Sequence, residues 1–252
     1  MKNNLCLKGQ VALITGASSG LGASFAQFLS KAGATVVLAA RRRDKCAEVA
    51  RKIDGKTLAV TLDVTDSKSI EDALSLTEKA FAPVSILVNS AGIVIDQPLM
   101  DTAEADWKHV IDTNLTGCWL MTQAVSRRMI SENIQGRIVN ISSILGFTPT
   151  NHVHAYSASK AGINQLTRTS AIELSRYGIS VNAIAPGYIE TDLNREFLNS
   201  PKGMLITKRI PQRRFGQLGD LEGPIILLTS PSGAYITGEI ITIDGGLSLK
   251  GM

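Results

Sequence analysis

Tyr156 and Lys160 stand four residues apart in "AYSASKAG", residues 155–162, with only Ser157, Ala158 and Ser159 between them. On a helix that spacing stacks the two side chains one turn apart on one face. A free phenol ionises near pH 10, so about one in a thousand is charged at neutral pH and the group moves protons poorly. An ammonium ~4 Å away at an effective dielectric of ~20 contributes about 4 kcal/mol, roughly three pKa units before desolvation subtracts from it. The spacing therefore predicts a tyrosine brought near neutrality. Such a phenol protonates a carbonyl oxygen as hydride reaches the carbon, or takes the proton from an alcohol in reverse. The small residues between the pair leave room for a cofactor lying on the helix. The same octapeptide also describes a core tyrosine with a lysine snorkelling past it.

A reaction of this kind needs a hydroxyl to hold the substrate oxygen and a site for the hydride carrier. "NISSILG", residues 140–146, follows an apolar run and offers Ser142 and Ser143, of which Ser143 is assigned the oxygen. Near the start, "VALIT" runs into "TGASSGLG", where Gly16, Ser18, Ser19, Gly20, Leu21 and Gly22 form a turn that opens a helix. Glycine there lets backbone amides approach a pyrophosphate at a helix N-terminus, although any strand-to-helix turn uses glycine for positive φ. The next apolar run, "TVVLAA", ends at Ala40 without a carboxylate and is followed by Arg41, Arg42 and Arg43. Three cations opening a helix oppose its dipole at ~0.3 to 1 kcal/mol each unless an anion is close. A 2′-phosphate is such an anion, which favours NADP over NAD; a solvated charge run is the plain alternative. Asp63 with Val64, and Asn89, Ala91 and Gly92 of "NSAG", are placed to meet the adenosine, and serve as well as strand-end turns.

The elements that must position these residues follow from hydrophobic period. Seven β-branched runs, "VALIT", "TVVLAA", "TLAVTLDV", "SILVN", "RIVNIS", "ISVNAIA" and "EIITID", alternate with segments of 3.6-residue period. Strands apolar on both faces and joined by helices predict a doubly wound, Rossmann-like α/β fold. It has a seven-stranded parallel sheet with helices on both faces, as a single domain over residues 1–252. Ligands in such sheets bind beyond the carboxyl ends of the strands, where these candidates fall. Residues 188–216, with Pro201, Gly203 and Pro211, break the rhythm and suit a mobile flap over a site.

Composition narrows the class. A chain of 252 residues with 44% hydrophobic and 19% charged residues is an ordinary globular protein. Its net charge of +4 is spread along the chain without interleaved aromatic residues, which argues against nucleic acid. No signal peptide or membrane span is readable, so a cytoplasmic location is expected. Cys6, Cys46 and Cys118 form no framework and read as buried or idle thiols. His152 and His154 make an HxH with no third ligand in view, so no metal is expected, and His109 reads as a helix-face residue. Phe147, Tyr188, Leu193 and Phe197 are pocket walls or plain packing.

Taken together, the motifs resemble the short-chain dehydrogenase/reductase family from Gly9 to Gly246. The likeness rests on the TGxxxGxG turn (Thr15, Gly16, Gly20, Gly22), "NSAG", the Asn of "DTNLTG", a serine thirteen residues before YxxxK, and "PGYIET". The resemblance implies a tetrad. In it Tyr156 is the general acid or base, Ser143 orients the substrate oxygen, Lys160 holds the nicotinamide ribose, and Asn114 supports a water that relays the proton. It further implies that Thr191 and the backbone of Ile189 contact the carboxamide, with Pro186 and Gly187 shaping the loop. Arg41 falls where NADP-preferring members carry a basic residue. Ser19 lacks the basic residue some of them have in the turn, and Ser90 replaces the second Asn of their NNAG pattern. Within the family the chain is similar to reductases of 3-oxoacyl groups on acyl carrier protein and to gluconate- and polyol-type dehydrogenases. Ile134 stands where the former can carry an arginine for the acidic carrier, and Arg137 is close but not equivalent. The expected activity is NADP-dependent reduction of a 3-oxoacyl thioester or similar small ketone by a homotetramer. An NAD-linked sugar-acid or polyol dehydrogenase and a non-catalytic dinucleotide-binding regulator are the alternatives.

Overall fold

A computed structural model describes residues 4–192, 194–198 and 200–249, and of Lys202 the backbone alone. In chain order the elements are β1 (Val11–Thr15), α1 (Gly20–Lys31), β2 (Thr35–Ala40), α2 (Arg43–Ala50), β3 (Thr57–Thr61), α3 (Ser67–Ala80) and β4 (Ile86–Asn89). There follow α4 (Glu104–Ile111), α5 (Gly117–Ser131), β5 (Arg137–Ile141), α6 (His154–Leu174), β6 (Ser180–Pro186), α7 (Arg195–Leu198), α8 (Pro201–Arg209), α9 (Glu222–Thr229) and β7 (Ile240–Ile243). The strands form one parallel sheet in the order β3-β2-β1-β4-β5-β6-β7.

Side chains of successive strand residues point to opposite faces, so each apolar strand feeds two cores. Ala12, Ile14, Val36, Leu38, Ile86 and Val88 pack under α1 and α9, against Phe25, Leu29, Ile225 and Leu228. Val11, Leu13, Val37, Ala39 and Leu87 pack on the other side against Leu74 of α3 and Met121, Val125 and Met129 of α5. Both faces are covered, as the runs of apolar residues predict. Strand order reverses between β1 and β4, and the crevice at that point opens beyond their carboxyl ends.

Most strand ends fall within one residue of the apolar runs, and two segments depart further from the sequence reading. β3 ends at Thr61, before "LDV", because the Asp63 carboxylate accepts the Thr65 N–H at 3.0 Å and its hydroxyl at 2.7 Å and turns the chain. Residues 188–216 hold two helices, α7 and α8, the second capped by Ser200 and opened by Pro201. The segment is stitched at its base, where Glu190 N–H donates to Gly216 O at 2.7 Å and Gly216 N–H to Tyr188 O at 2.9 Å. Among the described residues no helix is long and apolar enough to cross a membrane.

Candidate active site

A cleft of about 810 Å³ runs along the carboxyl edge of the sheet, from Arg41 and Arg42 at one end to Ser143 and Tyr156 at the other. Its floor is the turn between β1 and α1. Gly16 and Gly20 hold positive φ, 68° and 55°. A Cβ on Gly22 would sit 2.5 Å from Gly16 O, whereas one on Gly20 would meet nothing within 4 Å. Ser19 caps α1 without a side-chain bond, so the N–H groups opening this helix lack a side-chain acceptor beside the cleft. Thr15 Oγ1 accepts the N–H groups of Ser90 and Ala91 at 3.0 Å each, which pins "NSAG" against the turn. Bare backbone, an uncapped helix start and nearby guanidinium groups fit the phosphates of a dinucleotide.

At the basic end Arg42 Nη2 donates to Ser18 Oγ at 3.3 Å, and Arg41 lines the cleft beside Asp63 and Val64. Burial opposes ionisation of Asp63, yet the two bonds from Thr65, with Arg41 and His109 adjacent, hold its carboxyl below the usual range. Arg43 turns away and donates to Ala59 O at 3.0 Å.

The chemical end is built by β5 and α6. Ser142 Oγ donates to Asn164 Oδ1 at 2.6 Å and is tied to α6. Ser143 accepts the Leu145 N–H at 3.1 Å, capping a short turn over Ile144–Gly146, and lines the cleft together with the Tyr156 phenol. Lys160 is buried, donates to Ile141 O at 2.7 Å, and keeps its Nζ 5.3 Å from the centre of the Tyr156 ring. Burial lowers its pKa to about 8.

The phenol itself departs from the sequence expectation. Burial pushes Tyr156 above its ordinary value, with the nearby Ser143 hydroxyl pulling the other way, so it is not brought near neutrality in this arrangement. The ammonium is turned onto a backbone carbonyl, and removal from water disfavours phenolate.

The remaining candidates divide. Gly16, Ser18, Ser19, Gly20, Leu21, Gly22, Ala91, Gly92, Pro186, Gly187, Ile189 and Thr191 line the cleft. Asn89 and Asn114 do not. Asn89 Nδ2 donates into the sheet, to Asn140 Oδ1 at 2.9 Å and Thr122 Oγ1 at 3.1 Å. Asn114, in a π-helical turn over Asp112–Thr116, accepts Ile93 N–H at 2.8 Å and donates to Ile93 O at 2.9 Å. Tyr188 lines the cleft, Phe147 and Phe197 are exposed, and Leu193 lies outside the described residues.

His109, Thr113 and Asn194 line the cleft without having been singled out for it. His109 and Thr113 are one helical turn apart, a period that marks a shared face. Asn194 accepts Thr191 N–H and donates to Ile189 O, both at 2.8 Å, and so fixes the "PGYIET" loop. The HxH imidazoles take separate partners. His152, at φ 69°, meets Asp96 at 3.4 Å, and His154 Nε2 meets Thr102 Oγ1 at 2.9 Å. Thr102 Oγ1 also donates to Pro98 O at 3.0 Å.

Residues 10–202 match the family model described as short chain dehydrogenase. The 3-oxoacyl-[acyl-carrier-protein] reductase of Vibrio harveyi is 36% identical over 241 residues, covering 96% of this chain and 98% of its own. That of Synechocystis sp. is 39% identical over 246 residues, with the same shares covered. Among solved structures, a gluconate 5-dehydrogenase from Burkholderia cenocepacia J2315 in complex with NADP and tartrate superposes with a TM-score of 0.92. Its sequence is 33% identical, and 99% of each chain is covered. This chain belongs to the short-chain dehydrogenase family and is an oxidoreductase that works with NAD(P).

Proposed function

We propose that the chain moves hydride between NADPH and a carbonyl or secondary alcohol, with Tyr156 handling the proton. The meeting of Tyr156 and Ser143 at one end of a dinucleotide-sized cleft carries this reading. NADPH supplies the hydride when bound. Ser143 spends an acceptor position on Leu145 N–H, and its one hydroxyl hydrogen turns to the substrate oxygen when substrate enters. Tyr156 gives its phenolic hydrogen to that oxygen in reduction and recovers it in oxidation. Lys160 anchors one N–H on Ile141 and has two left for the nicotinamide ribose. The Asn114 side chain is committed to its neighbours, so its part in a water relay falls to its main chain.

Arg41 and Arg42, with Ser18, take the 2′-phosphate, in keeping with the NADP held by the Burkholderia structure. Asp63 and Val64 flank the adenine, Ala91 and Gly92 the adenine ribose, and Ile189 and Thr191 the carboxamide. Residues 188–216 close over the substrate as part of one 1–252 unit. The substrate is a 3-oxoacyl thioester or similar small ketone, the chemistry named for the Vibrio and Synechocystis relatives. Arg137 gives its guanidinium to the carbonyls of Gly136 and Gly178, which favours a free thioester over one borne by an acidic carrier protein. A sugar-acid or polyol dehydrogenase is the second reading, favoured by the gluconate 5-dehydrogenase likeness. Exposed Trp107, Trp119, Ile172 and Tyr235 accord with burial in a homotetramer, and the cytoplasm is the compartment expected.

Two measurements test the reading. Tyr156→Phe should lose at least a hundredfold in kcat while binding NADPH as the parent does, followed by cofactor fluorescence. Unchanged turnover removes Tyr156 from the chemistry. A panel of 3-oxoacyl thioesters and sugar acids, assayed with NADPH and NADH, separates the two substrate classes.

A further inference from the structure

Ser159 sits inside the YxxxK motif, fully buried, and no part of the proposed reaction uses it. Its hydroxyl donates to Tyr156 O at 2.7 Å, which consumes its only hydrogen. It therefore accepts from Asn114 Nδ2, 3.1 Å away. The amide orientation of Asn114 is fixed independently, because Ile93 N–H can meet only Oδ1 and Ile93 O only Nδ2. A continuous chain of hydrogen bonds thus runs from the backbone of Ile93, through the Asn114 amide and the Ser159 hydroxyl, to the backbone of Tyr156.

The chain joins three elements that must keep register around the reacting atoms. Ile93 follows "NSAG", Asn114 lies in the π-helical turn, and Tyr156 and Lys160 are on α6. The π turn departs from regular helical bonding, with Gly117 N–H reaching back to Asp112 O, so its main chain is positioned by what holds it from outside. Asn114 Oδ1 and Lys160 Nζ converge on one spot, lying 3.4 and 3.6 Å from where a Cβ on Gly92 would be. A shift of the π turn relative to α6 therefore changes the spacing between Asn114 and Lys160.

We propose that Ser159 is a positioning residue that locks the π turn to the catalytic helix and so sets the path by which the Tyr156 proton is replenished. This rests on the assignment of Tyr156 as proton carrier. The test is a double-mutant cycle of Ser159→Ala and Asn114→Ala in the full chain. Ser159→Ala should lower kcat about tenfold, leave the NADPH dissociation constant and substrate KM within twofold, and shift the pH midpoint of kcat by at least half a unit. Added to Asn114→Ala, it should cost less than twofold more, since its effect travels through that amide. A Ser159→Ala enzyme with the parent's kcat and pH profile overturns the proposal. So does a loss that multiplies with that of Asn114→Ala, or one matched by weakened cofactor binding and an early thermal transition with an unmoved pH midpoint, which is a structural role only. Tyr156→Phe run alongside separates the two ideas: if it stays active the parent assignment fails, whereas a dead Tyr156→Phe beside a silent Ser159→Ala sinks the positioning role alone.

Discussion

Lys160 donates its ammonium to the backbone carbonyl of Ile141 across 2.7 Å, fastening α6 to the end of β5. The bond holds the lysine beside the Tyr156 ring, where burial lowers its pKa to about 8 from 10.5. Between those two values the unfolded chain binds more protons than the folded one, so stability rises with pH from about 8 to about 10.5. Lys160→Met should abolish that rise in denaturant melts across the window, and lower kcat at pH 7 at least a hundredfold. Equal pH dependence in parent and variant would contradict the buried, shifted lysine.

Arg42 reaches Ser18 over the β1–α1 turn. If it reads the 2′-phosphate, Arg42→Ala should weaken NADPH about tenfold and leave NADH unchanged, since a charge-assisted bond is worth about 1.5 kcal/mol or more. Titration of both cofactors by fluorescence gives the ratio. Equal weakening of the two points to the turn's shape instead.

Thiol chemistry follows burial. Desolvation pushes Cys46 up to about 11 and Cys118 up to about 12, while Cys6 is exposed. Thiolate is the reactive form, so one equivalent should react with a disulfide reagent in native protein at pH 8 and three after denaturation. Two fast native equivalents would mean that a core thiol is reachable.

Asn140 is fully buried with both ends of its amide paired. It accepts from Asn89 and from the Cys118 thiol, and donates to Thr167 at 2.9 Å. Asn140→Ala strands these partners and should destabilise by about 3 kcal/mol. A thermal midpoint within a degree or two of the parent would show that the partners re-pair.

Much of the architecture was legible because a strand buried on both faces writes its period plainly, and all seven runs became strands. Boundaries were less so. Nothing in "TLDVT" says that Asp63 will close on Thr65 rather than continue β3. The pocket walls on α4 and the π-helical turn after it were hidden for another reason: His109 and Thr113 lie four residues apart, but which face looks at the cleft depends on how these turns pack.

The sequence by itself determined the sheet, the glycine turn and the one-turn spacing of Tyr156 and Lys160, since these depend on local backbone geometry. Tertiary structure alone decided that Ser143 lines the cleft with the phenol while Ser142 is held by Asn164, and that Asn89 faces the sheet interior. It also decided that the lysine head points at Ile141 and that burial raises the tyrosine. Spacing along a chain sets which groups can meet, but a proton's affinity depends on direction and on the water removed around it, and both come from distant segments packing together.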